Sequence, residues 1–155
     1  MFDVLPPALV MVTGAALLGL VRGHWRSALV LGTPLVALWA IWQIPDGVVA
    51  TVNFLDYAIE PIEGSPLRRL FATIFAVMAF GGGLYAFRQA KWYELSAAFI
   101  YAAGAIGVSF AGDLITFFIY WELMALFSTI VVWCGGTPRA RAAGIRYAIM
   151  HLLGG

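Results

Sequence analysis

The chain has 155 residues, 63% of them hydrophobic and 11% charged, with a net charge of +1. Soluble domains carry about 25% charged residues, so this composition excludes an ordinary water-soluble core, and so small a charge without a long basic cluster excludes a nucleic-acid partner. A lone cysteine, Cys134, excludes an internal disulfide framework and a thiolate metal site.

Apolar runs recur at spanning length, which predicts an all-α membrane protein, a polytopic helical bundle in one transmembrane domain. The first span is expected at 5–21, with Pro6 and Pro7 at its first turn, where proline is tolerated. The N-terminus has no basic n-region and no obvious cleavage site, so this run reads as a retained span rather than a signal peptide. Arg22, His24 and Arg26 make a basic turn before a second span at 27–44, whose far end carries Trp39 and Trp42 at belt position. Pro45-Asp46-Gly47 signals a turn and opens an external loop at 45–69. Within it, 48–54 is β-prone, which suggests a small hairpin or an irregular loop holding Asp46, Asp56, Glu60 and Glu63.

The third span is expected at 70–87, ending near Gly81-Gly82-Gly83, and the fourth at 95–110. Ala103, Gly107 and Ala111 are spaced four apart, giving one small-residue face on which a neighbouring backbone can come close. Gly112-Asp113 is a tight turn into the fifth span at 113–133. Gly135-Gly136 breaks the chain, Thr137 can cap and Pro138 can open a last helix. The apolar part of that helix is nine residues long, so 138–155 is expected as a partial sixth span, either of a fragment or of a bundle completed by another chain. The topology is thus five transmembrane helices plus a truncated sixth. Turns after the first, third and fifth spans hold seven Lys or Arg, and the opposite side holds only Arg68 and Arg69. The positive-inside bias places the N-terminus outside.

The fifth span carries one ionisable group away from its ends, Glu122, near the membrane midplane. A charge at that depth costs about 2.5–3.5 kcal/mol on insertion scales. The options are to face other helices, to pair with a cation or to hold a proton. A carboxyl that holds or releases a proton at mid-depth is what a proton path needs. Glu122 shares its helical face with Ile115, Phe118, Ala125, Leu126 and Thr129, so the Thr129 hydroxyl can line the same path. His151 enters the membrane one turn beyond Tyr147 and is a candidate relay near neutral pH. Asp113 opens the span at the outer surface, as a helix cap or an outer proton port. Phosphate loops, nucleotide fingerprints, haem ligands and nucleophile–base pairs are not seen, so neither enzyme chemistry, nor a cofactor, nor a metal is expected.

The run from Ala111 to Thr129, with Trp121-Glu122 at its heart, and the run from Ala142 to Gly155 closely resemble the antiporter-like proton-transporter family. That family includes the D subunit of Mrp-type multisubunit sodium/proton antiporters and the antiporter-like membrane subunits of respiratory NADH:quinone oxidoreductase. The match is specific over 70–155 and looser before it. The resemblance implies that Glu122 is the proton-path carboxylate, working with a lysine on a seventh span outside this sequence. It further implies partnership with other membrane subunits in the lipid bilayer, protons and sodium as the transported ions, and a bacterial inner-membrane location. The competing expectation is a non-conducting structural subunit of a respiratory-type proton-pumping or bicarbonate-uptake complex, with Glu122 in a static ion pair.

Overall fold

The structure, a computed structural model, describes residues 4–54 and 57–154. Asp56 of the acidic loop and the terminal Gly155 lie outside the described residues. The described residues form six helices and one hairpin: α1 (Pro7–Leu18), α2 (His24–Trp42), β1 (Gly47–Phe54), β2 (Tyr57–Gly64), α3 (Pro66–Ala86), α4 (Trp92–Phe110), α5 (Leu114–Trp133) and α6 (Pro138–Gly154). The protein is a helical membrane protein. Four helices, α2 to α5, have the length and apolarity to cross a bilayer.

The count of five full spans is not reproduced. α1 has 12 residues, about 18 Å of helix, which falls short of a bilayer core on its own. Pro6 and Pro7 delay its start, and a turn at Gly19 and Leu20 ends it, with the Leu17 carbonyl accepting from the N–H groups of Leu20 and Val21. α3 starts inside the segment expected as loop, because Ser65 caps it by accepting from the Arg68 N–H and Pro66 supplies the first helical residue. At its other end α3 runs through Gly81-Gly82-Gly83 and stops at Ala86, close to the expected end at 87. Helix continues there because the backbone bonds need no side chain, and Gly83 fits directly against Val30 of α2.

α4 is the hub. It packs on α1, α3 and α5, while α2 packs on α1 and α3, so α1 to α4 close a four-helix ring. α5 lies outside that ring against α4, and α6 packs on α5. The core follows this plan: Met11, Leu18, Val30, Ile41, Phe99 and Ile106 are almost fully buried between the four ring helices. In the most apolar stretch of α4, 56% of residues are buried, against 17% in α5.

The small-residue face of α4 is what lets α5 come close. A Cβ at Gly107 would land on the Tyr120 ring, and one at Gly104 would sit 3.0 Å from the Tyr120 carbonyl oxygen. Ala103 is fully buried beside them. Close backbone approach of this kind replaces the hydrophobic drive that lipid removes.

The β-prone run does form a hairpin. β1 and β2 are antiparallel, from Gly47 opposite Gly64 to Asn53 opposite Ala58, with two irregularities in register near Ala50. Its base is tied to one end of the bundle. Arg69 pairs with Asp46 at 2.7 Å and donates to the Ile44 carbonyl at the end of α2. Arg68 pairs with Glu63 and donates to the Ala111 carbonyl at the end of α4. The two cations expected on this side are therefore both neutralised by loop acids.

Candidate functional site: the α5–α6 groove

α6 lies along one half of the α5 face that carries Glu122. Gly144 is buried there, with no side chain to hold α6 off the Trp133 indole. The seam leaves a cavity of about 140 Å³ lined by Glu122, Ala125, Leu126, Thr129 and Trp133 of α5 and by Ala148 and His151 of α6. Three of the four residues singled out in the sequence thus share one small space. Toward Trp133 the shared face is covered in part, with Ala125 and Thr129 buried but Leu126 exposed. Toward Asp113 it is open, with Ile115 and Phe118 exposed. Glu122 stands at that boundary.

The Glu122 carboxylate has neither an ion pair nor a hydrogen bond among the described residues, whose salt bridges are confined to the hairpin base. Thr129 donates its hydroxyl to the Ala125 carbonyl one turn back, at 2.9 Å. It therefore offers its oxygen, not its proton, to the cavity.

His151 is part of a hydrogen-bonded row. Its Nε2 lies 3.0 Å from the Tyr147 hydroxyl, which lies 3.0 Å from the Ser128 hydroxyl on α5. Ser128 reaches the Ala125 carbonyl at 2.8 Å. Two proton arrangements satisfy this row. In one, Nε2–H donates to Tyr147, Tyr147 to Ser128 and Ser128 to the carbonyl. In the other, Ser128 donates to Tyr147 and Tyr147 to an unprotonated Nε2. Hydroxyls can donate and accept at once, so the row reverses without moving a heavy atom. The edge of Trp121 flanks the imidazole, with ring centroids 6.3 Å apart, and Phe117 stacks on Trp121.

Asp113 is elsewhere. It caps α5, accepting from the Ile115 and Thr116 N–H groups at 2.9 Å each and from the Thr116 hydroxyl at 2.6 Å. Its second oxygen also accepts from the Glu60 N–H of β2 at 2.8 Å, and the Gly112 N–H donates back to the Glu60 carbonyl. Burial pushes this carboxyl up, but the Thr116, Glu60 and Ile115 donors outweigh it and hold it below its ordinary value. The structure gives Asp113 the role of cap and clamp, about 13 Å along the helix from Glu122. Ser128 was missed in the sequence, since it lies off the Glu122 face and only the crossing of α6 brings it in. Among the described residues no cluster of His, Cys, Asp and Glu has metal-holding geometry.

Compared with known proteins, the chain is 26% identical over 120 residues to the D subunit of the Na(+)/H(+) antiporter of Alkalihalophilus pseudofirmus, an alignment covering 72% of this chain. The chain spans about a fifth of that protein, 21% of its length. No family model matches the chain, and no solved structure matches it.

Proposed function

We propose that this chain is a membrane subunit, or part of one, of a multisubunit cation/proton antiporter, and that Glu122 is the centre of a proton-translocation half-site. The observation that carries the reading is a mid-depth carboxylate without an ion-pair partner among the described residues, sharing a 140 Å³ cavity with His151 and Thr129. Apolar helices and the similarity to an antiporter D subunit support the setting.

In this mechanism Glu122 takes up a proton when its negative charge is uncompensated and releases it when a cationic group approaches. The cavity connects it to His151, and the Tyr147–Ser128 row serves the imidazole in either state, accepting from Nε2–H or donating to a bare Nε2, while the row itself ends at the Ala125 carbonyl. The cationic group comes from another part of the assembly, since no Lys or Arg of this chain lies at comparable depth. The exchanged ion is sodium, the location is a bacterial inner membrane, and the hairpin faces outward, with the seven other Lys and Arg residues inside.

The test is proton-coupled sodium transport in vesicles holding the full assembly, Glu122→Gln against wild type. Loss of transport with normal assembly is expected. Unchanged transport per assembled complex refutes the proposal. Lowered assembly with unchanged transport in what does assemble points to the structural subunit instead.

A further inference from the structure

A second site lies on the far side of the ring, between α1 and α2. The two helices touch where Gly14 sits against Thr33, and a Cβ at Gly14 would collide with the threonine side chain. Beside that contact they leave a groove of about 770 Å³. Its walls are apolar, with Val10 and Leu17 on α1 and Leu29 and Val36 on α2. Arg22 and Trp25 line one end of it. Trp25 is 77% exposed, and the Arg22 guanidinium has neither an ion pair nor a hydrogen bond among the described residues.

The same end of the bundle carries a second hollow, lined by His24, Ser27 and Arg88. Among the described residues no carboxylate lines either hollow. The pattern is an apolar trough with an unopposed basic rim and an indole beside it. Tryptophan and arginine at this position are the anchors of a membrane–water boundary.

We propose that this groove binds one anionic glycerophospholipid. An acyl chain lies in the trough, and the phosphate meets Arg22 at its mouth with Trp25 alongside. An apolar helix filling the trough would leave the guanidinium without a counter-charge at the edge of hydrocarbon, which is costly. A zwitterionic lipid brings its own cation to a mouth that already holds Arg22, with Arg88 in the second hollow at the same end. An anionic headgroup meets neither objection. The site is independent of the α5–α6 groove and of which way the chain is oriented.

The experiment uses the purified, delipidated chain and reads lipid retention by native mass spectrometry. The probes are dioleoylphosphatidylglycerol, dioleoylphosphatidylcholine and glycerol 3-phosphate, the last being the phosphate without the chains. Wild type should retain phosphatidylglycerol over phosphatidylcholine, and glycerol 3-phosphate should not displace it. Arg22→Ala should weaken phosphatidylglycerol binding about fivefold, the equivalent of one cation near an anionic surface, and remove the preference. Gly32 also lines the trough, and a Cβ there meets open space. Gly32→Leu should therefore fold and exclude both lipids, and Ala28→Leu, on the same wall, gives a second filling variant. Equal retention of the two lipids, displacement by glycerol 3-phosphate, or filling variants that bind like wild type would each overturn the proposal.

Discussion

Replacing Asp113 separates a structural cap from a proton port. The carboxylate accepts four hydrogen bonds, two from α5 amides, one from the Thr116 hydroxyl and one from the Glu60 amide of the hairpin. Losing the cap costs about 1 kcal/mol. Leaving the half-buried Glu60 amide without its acceptor costs about another 1 kcal/mol, and the Thr116 hydroxyl can turn to water. Asp113→Ala should therefore cost about 2 kcal/mol, or roughly 4–8 °C in Tm at this chain length. Asp113→Ser keeps the cap but cannot reach Glu60, so it should cost about half as much. The pH dependence follows from the same bonds. Because the folded carboxyl is held below its unfolded value, its contribution is fully present above the unfolded pKa of about 3.9 and fades as pH falls through the folded one. Wild type should lose stability on that acid limb, and Asp113→Ser should be flatter there. The assay is thermal unfolding in detergent from pH 3 to pH 7, with protease nicking of the hairpin as a local readout. If Asp113→Ala left Tm and nicking unchanged while abolishing transport by the assembly, the clamp reasoning would be wrong and the port reading right.

Other substitutions test the packing and the row. Gly107→Leu drives a side chain into the Tyr120 ring and should destabilise by roughly 1–3 kcal/mol or more, read as a fall in Tm, whereas Gly32→Leu, facing open space, should not. Arg69→Ala removes an ion pair with Asp46 and a bond to the Ile44 carbonyl, so it should loosen the hairpin base and speed proteolysis within 47–64 while leaving the helical content seen by circular dichroism unchanged. Tyr147→Phe breaks the His151–Tyr147–Ser128 row without emptying space. On the proposed function it should slow transport and shift its pH profile, with Tm within about 1 °C since the bonds are exposed.

Membrane proteins expose their helices in sequence because lipid removes the usual ambiguity. A long apolar run has no soluble alternative, and its ends are marked by Pro, Gly and charge. α2, α4 and α5 were legible for that reason, and so was the small-residue face of α4 that receives Tyr120. α1 misled because hydropathy continues past Leu18, while Gly19 and Leu20 turn the backbone. The start of α3 was missed in the opposite sense, since the Ser65 cap and Pro66 open the helix four residues before the apolar run expected from 70. The site was half legible. Glu122, Ala125 and Thr129 share a face by helical arithmetic alone. That His151 would face them, and that Ser128 would join through Tyr147, depends on how α6 crosses α5, which no spacing within one helix encodes.

The position of Glu122 sets stability against use. α5 has little of its surface buried, and Glu122 stands where the cover of α6 ends, between exposed Phe118 and buried Ala125. For the fold of this chain alone the carboxyl is a liability of about 2.5–3.5 kcal/mol, with no cation paired to it among the described residues. Glu122→Leu should therefore raise Tm in detergent or the yield of inserted chain, because it removes a desolvated charge and lengthens an apolar face. In the full assembly the same substitution should abolish proton-coupled transport. The opposing responses follow only if the carboxyl is retained for what it does with a proton rather than for holding helices together. A residue kept for a static ion pair behaves otherwise. Its loss orphans the partner cation and lowers assembly by the roughly 3–5 kcal/mol typical of a broken buried pair, on the order of a thousandfold in equilibrium. Measuring Tm of the chain, yield of the complex and transport per complex for this one variant therefore decides between a proton site and a rivet.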